Sequence, residues 1–399
     1  PPRSTLFPYT TLFRSIPIAV FTALNFLNPG FGPTGNLVYA YVVYIVWGML
    51  YTVSDIPLWA LTSAMSRDSG ERTRLISVSR VVSMVGIMLP TLALPFLASI
   101  LAPGNMYRGY LWGAVLLCAL GGPLMTLAFF GTTERVAASP EKLSFRKMLG
   151  VLKANGPMRL LVAAMVLNSL VMVAQAGQLY FATYNLGSDR YASVIAGVSL
   201  FGLMGGMAVT PSLAKKFGKK GTIIGTAVLQ AAAGILFFLV GYGSVPVALA
   251  FAFAIGLLMG PYTALQNAMM ADSIDYAEYA TGERAEGITF SFQTFSNKIV
   301  GALSGLVAGL VLAATGYVAG AEQSALALRG MFSMMSLIPA AGALLTILPF
   351  LFYPLTEERH AFINAELARG RHAEVTRPGA RAPSDPWRAI DEAMKGGRA

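Results

Sequence analysis

Three apolar, helix-length runs of this sequence each carry one charge that hydrocarbon rejects: Asp55 between Leu37 and Met65, Arg80 within 75–102, and Lys298 within 289–317. A run of that length crosses a bilayer core of roughly 30 Å at ~1.5 Å per residue. Placing a charge inside it costs on the order of 2.5–3.5 kcal/mol unless a partner or a wet cavity compensates. Asp55 lies about ten residues before its run ends and Lys298 about ten after its run begins, so each is roughly 15 Å deep. Arg80 is shallower, on the run that follows Asp55. One acid and two bases on three helices can share a cavity, and the chemistry they suit is hydrogen-bonded recognition of hydroxyls. Asp55 accepts, Arg80 donates to the same ligand or fixes the carboxylate, and Trp59, one turn on, stacks its indole on a sugar face. The alternative is a salt bridge that only pins helices, with Lys298 snorkelling to the interface.

A second group of charges sits at helix ends. Asp272-Ser-Ile-Asp-Tyr-Ala-Glu-Tyr279 presents Asp272, Asp275 and Glu278 ahead of Arg284 and Glu286, while Arg67-Asp-Ser-Gly-Glu-Arg-Thr-Arg74, which contains Arg72, follows the Asp55 run. Both signs occur in each cluster. They either form ion pairs that hold one access state closed or are ordinary solvated helix ends. Lys215-Lys-Phe-Gly-Lys-Lys220 reads as a tight basic turn between two spans.

The elements that must position these residues are membrane helices. Hydrophobic residues make up 55% of the 399 and charged residues 12%, with a mean hydropathy of +0.61; that composition belongs to an integral membrane protein. Ten apolar spans are expected near 16–28, 37–65, 75–102, 109–130, 158–184, 191–213, 222–241, 246–270, 289–317 and 331–353. With alternate loops on one side, fourteen Lys/Arg fall on one face and three (Arg108, Arg190, Arg329) on the other. The net charge of +10 therefore reports topology, with the basic loops and the C-terminal tail cytoplasmic, and not a nucleic-acid partner. The lone Cys118 excludes an intrachain disulfide or a cysteine cluster, and His360 and His372 both lie in the tail, away from any intramembrane catalysis. No nucleotide loop or nucleophile–base pair is present in the sequence, which disfavours an enzyme or a sensor, and no cofactor is expected.

Thr5–Ser15 resembles, over eleven consecutive residues, the in-frame translation of a common short-read sequencing adapter. Residues 1–15 are accordingly set aside, with authentic sequence expected from Ile16 inside a helix. Four spans (16–130) precede a basic polar segment at 131–157 and six (158–353) follow it; 354–399 is a tail with one short surface helix from Thr356 and a flexible remainder. Four plus six is the layout of a major facilitator protein, two six-helix halves, lacking its first two helices.

Two stretches are similar to the glycoside–pentoside–hexuronide:cation symporters. The first is Trp47-Gly-Met-Leu-Tyr-Thr-Val-Ser-Asp-Ile-Pro-Leu-Trp59 with Asp68-Ser-Gly-Glu-Arg-Thr-Arg-Leu75 and Arg80; the second is Met270–Tyr279 with Arg284, Glu286 and Gln293-Thr294 through Lys298. The resemblance implies a cation-coupled sugar transporter of the cytoplasmic membrane, monomeric, driven by Na+, Li+ or H+. It implies that Asp55 and Arg80 bind the sugar, that Trp59 and Tyr51 line the pocket, and that Gln293 and Thr294 complete it from the second half. Thr52 matches a cation-site hydroxyl and Lys298 a lysine beside that site. Thr263 stands where an aromatic lines the pocket of one member, which leaves the sugar open. The family's further sugar and cation carboxylates lie on its first two helices, which this reading expects to be missing; a non-functional fragment, a uniporter and an exporter of another solute are the alternatives.

Overall fold

The computed structural model describes residues 8–65, 69–131, 155–282, 286–370 and 386–396, and all regular structure among them is helical. In lipid this is the expected solution, because a helix satisfies its backbone hydrogen bonds within one segment. The chain divides into two compact units, Pro1–Glu141 and Lys142–Ala399.

The first unit contains α1 (Pro8–Leu24), α2 (Gly32–Met65), α3 (Ser69–Leu101) and α4 (Met106–Gly131). α1 begins inside the adapter-like stretch, so the expected span at 16–28 is shifted toward the N-terminus. Tyr39 donates its hydroxyl to the Leu24 carbonyl (2.9 Å) and Trp47 donates its indole N–H to Thr22 Oγ1 (2.9 Å), which ties α2 to α1. α4 meets α3 where Gly113 lies against Leu94 and Gly109 against the Ala98 backbone.

The second unit starts with α5 (Gly156–Tyr180), which continues into a π-helical turn, Phe181–Asn185. Asn155 accepts from the Met158 N–H (3.0 Å) and caps it, with Pro157 in the first turn, where no N–H is needed. α6 (Arg190–Val240) is two spans joined at Gly218, whose φ of 72° breaks the helix within the predicted basic turn. α7 (Val245–Thr281) runs eleven residues beyond its apolar run, and along that extension Ser273, Ile274, Tyr276 and Ala277 stay buried while Asp272, Asp275 and Glu278 are half-buried. Gly282 ends it with φ 74° and an N–H bond to the Glu278 carbonyl (2.8 Å). α8 is Glu286–Ala314. The last predicted span is two helices, α9 (Ala325–Met335) and α10 (Leu337–Leu351), which part at Ser336. Pro339 has no N–H to return to the Met335 carbonyl, so the ladder is interrupted there. Two further helices follow, α11 (Glu357–Ala368) and α12 (Pro386–Gly396). α12 corrects the expectation of a flexible tail over 386–396. Trp387, Ile390 and Met394, at helical spacing, pack against the buried cluster that contains Tyr276 and Ile363.

Six described segments are long and apolar enough to cross a membrane, one of them the two-span α6. What joins helices in lipid is close packing, not hydrophobic exclusion. α6 and α7 show how it is done. Gly202 and Gly206 on one, Gly256 and Gly260 on the other, press backbone against backbone; a Cβ at Gly260 would come within 2.5 Å of Met207 N, and one at Gly206 would collide with the Leu257 carbonyl. Gly206→Val is expected to cost about 1–3 kcal/mol and lower the unfolding temperature in detergent. Gly225→Ala, where a Cβ meets nothing within 4 Å, is expected to leave it unchanged; equal shifts for the two would contradict this account of the α6–α7 contact.

Candidate functional site

α8 brings Gln293, Thr294 and Lys298 to one stretch of the second unit. Gln293 is only 8% exposed, Thr294 is half-buried, and Asn297 and Lys298 are exposed. Gln293 donates its amide N–H to Asn267 Oδ1 on α7 (2.6 Å), and Asn267 donates to the Thr263 carbonyl one turn earlier (3.0 Å). Further along, α8 exposes Leu306 and Leu310, as a lipid-facing surface should. Phe295, within the polar stretch, is exposed as well and falls on the same helical face as Leu306 and Leu310. Asn267 was not singled out in the sequence; its position one turn after Thr263 is the signal that would have found it.

In the first unit α2 carries Tyr51, Thr52, Asp55 and Trp59, and α3 carries Arg72 and Arg80; the side chains of Asp55, Trp59, Arg72 and Arg80 lie outside the described residues. Tyr51 stacks on Trp47 (ring centroids 5.7 Å apart, 22° between planes), which in turn packs on Tyr44 at 5.8 Å. Spacings of three and four residues put these rings on one helix face. Thr52 gives its hydroxyl proton to the Gly48 carbonyl (2.7 Å). That orients the oxygen as an acceptor, the role a cation ligand needs.

The basic end of the second unit, around Lys215–Lys220, is tightly wired. Lys219 Nζ meets Asp272 Oδ2 at 2.5 Å, and its backbone N–H donates to Glu357 at the start of α11. The turn needs glycine for its φ of 72°, and the Glu357 carboxylate lies 3.3 Å from where a Cβ on Gly218 would stand. Lys220 Nζ donates to the Leu351 (2.9 Å) and Tyr353 (3.3 Å) carbonyls at the end of α10, where cations suit the helix dipole. His360 on α11 reaches Asp275 at 3.1 Å and Asp272 at 3.7 Å. Burial, then the charges of Asp272 and Glu357, hold the Tyr353 phenol well above its usual range. α12 is fastened alongside: Arg359 makes two bonds to Asp391 (2.9 and 2.7 Å), its guanidinium lies over Trp387, and Trp387 stacks on Tyr276 at 4.7 Å. Asp272 and Asp275 thus have partners on their own half. Glu278 is half-buried a turn further on, and Arg284 lies outside the described residues.

The described helices that are long and apolar enough to cross a membrane make this a multi-pass membrane protein. The structure of a bacterial homologue of the human lysosomal transporter Spinster, inward-facing and unoccupied, superposes with a TM-score of 0.59 over 92% of this chain and 84% of that one, at 14% identity, which bears on the fold alone. The profile of the MFS/sugar transport protein family matches residues 11–357, and the chain belongs to that family. An uncharacterized symporter of Bacillus subtilis, YjmB, is 34% identical over 92% of this chain and 80% of its own length. The isoprimeverose transporter of Lactiplantibacillus pentosus is 31% identical over 90% and 78%. A putative 2,3-dihydroxypropane-1-sulfonate exporter of Escherichia coli is 26% identical over 93% and 82%. These relatives bear out the resemblance to the glycoside–pentoside–hexuronide group, and this chain is a transporter, not an enzyme.

Trp387→Ala removes the stacking that docks α12 and is expected to raise amide exchange over 386–396 at least tenfold while leaving α6 and α7 protected. Hydrogen–deuterium exchange read by mass spectrometry checks this, and unchanged protection of 386–396 would contradict the docking.

Proposed function

We propose that this chain carries a glycoside and a cation together across the cytoplasmic membrane of its cell by alternating access. The observation that carries the reading is the polar stretch of Gln293, Thr294 and Lys298 on an otherwise apolar helix, in a member of a sugar transport family. Asp55 and Arg80 bind sugar hydroxyls, Trp59 and Tyr51 supply ring faces, and in the second unit Gln293 and Thr294 take part in sugar binding. Thr52 contributes to the cation site, and Lys298 sets the local charge beside it, with Na+, Li+ or H+ as the coupling ion and no other cofactor. Coupling is linkage: a bound cation raises sugar affinity, and the sugar raises cation affinity by the same factor. The basic end faces the cytoplasm, a reading that the fourteen-to-three asymmetry of Lys and Arg supports. There Asp272, Asp275, Glu278, Arg72 and Arg284 form and break the contacts that gate the inner opening. The transporter works as a monomer.

The exporter among its relatives favours a second reading, release of a small polar solute from the cell on the same scaffold. Uptake into proteoliposomes separates them. Symport predicts that accumulation of a radiolabelled glycoside needs an inward Na+ or H+ gradient and that Asp55→Asn lowers it roughly 30- to 100-fold, as the loss of hydrogen bonds to a charged group implies, with membrane insertion intact. Wild-type-like uptake by Asp55→Asn would sink the sugar-site assignment, and accumulation indifferent to every cation gradient would sink the coupling.

A further inference from the structure

The geometry points to Asn267 as a solute-contacting, specificity-determining residue, with Gln293 a positioning residue that acts through it. This rests on the glycoside reading above and assigns the contact on the α7–α8 face to a different side chain. Between residues 254 and 280, α7 is exposed at two positions only, Asn267 and Ala271. Asn267 lies three residues inside the end of its apolar run (246–270) and Gln293 four inside the start of its own (289–317), so both sit near one edge of the hydrocarbon core. An amide exposed to lipid there would still leave polar atoms unsatisfied. The large apolar side chains that α8 exposes, Phe295, Leu306 and Leu310, share a helical face turned away from Gln293. Asn267 therefore borders water or solute.

The amide itself is preset. Its oxygen receives the Gln293 N–H (2.6 Å) and its nitrogen donates to the Thr263 carbonyl (3.0 Å). An asparagine amide has two donors and two acceptor positions, so one of each remains to point outward from a plane that is already fixed. Neighbouring donor and acceptor on one rigid plane suit two adjacent hydroxyls of a sugar ring, each of which can give and take a hydrogen bond. Gln293, at 8% exposure, has little surface to offer a solute. Its contribution is to hold Asn267 in orientation.

The test is equilibrium binding of the methyl glycosides of glucose, galactose, xylose and glucuronic acid, and of the monodeoxy analogues of whichever binds, to the full chain in detergent. Wild type is expected to bind one glycoside and to discriminate about tenfold against one monodeoxy analogue. Asn267→Ala is expected to lose about tenfold in affinity for the glycoside and to bind that analogue equally well, because the hydroxyl then has no partner to miss. Gln293→Ala is expected to weaken binding in the wild-type background and to have no further effect on Asn267→Ala. Asn267→Ser is read in the same cycle if the alanine variant shows no wild-type unfolding transition. Weakened binding with deoxy discrimination retained means a purely structural role and overturns the assignment, as does wild-type affinity in both variants. An equal effect of Gln293→Ala in both backgrounds means that Gln293 touches the solute itself, and overturns its positioning role. Failure of the wild type to bind any of the four overturns the glycoside reading and this inference with it.

Discussion

A polar group facing hydrocarbon has no water to fall back on, and this constraint orders the rest of the molecule. It makes the backbone helical wherever it crosses lipid. It leaves hydrophobicity unable to bring helices together, so association depends on how closely backbones approach; the glycines of α6 and α7 serve that end. And it gives meaning to each exposed polar side chain at depth. On α8 such residues gather around Thr294–Lys298, and on α7 at Asn267. Side chains that would be unremarkable on a soluble surface are, here, evidence of where lipid does not reach.

Outside the hydrocarbon the same charges become fastenings. Gly218 lets α6 break, and the break places Lys219 where it holds Asp272 on α7 and Glu357 on α11 at once. His360 adds a second link to both aspartates, and Lys220 ends α10. Four helices thus meet at one turn. Any movement of α7 relative to α6 must carry this junction with it or break it, which is the property a gate requires. α12 is stacked on the same end through Tyr276 and Trp387.

Local pattern and long-range pairing differ in how far they can be read from residues alone. Apolar length predicts the six described segments long enough to cross a membrane, and the glycine in Lys215–Lys220 predicts the break at Gly218. The ends are less predictable: α7 continues past its apolar run with Ser273, Ile274, Tyr276 and Ala277 buried at helical spacing, and that depends on what packs there. The pairing of Lys219 with Asp272 joins residues 53 apart in sequence, and nothing local announces it. α12 was hidden by its proline-rich, polar surroundings, although Trp387, Ile390 and Met394 at helical spacing were the visible sign. At the candidate site the motif located Tyr51, Thr52, Gln293, Thr294 and Lys298 on their helices; it could not reveal that Gln293 turns inward to Asn267, which only side-chain geometry discloses.

The central claim is that the polar stretch of α8 borders an aqueous, solute-filled space. Thiol accessibility at Thr294 reads this directly. In a Cys118→Ser background, Thr294→Cys reconstituted in liposomes should react with a membrane-impermeant methanethiosulfonate, and a bound glycoside should slow the reaction. Labelling by a lipid-soluble maleimide alone, with no reaction from the aqueous reagent, would place that side of α8 against lipid and contradict the account.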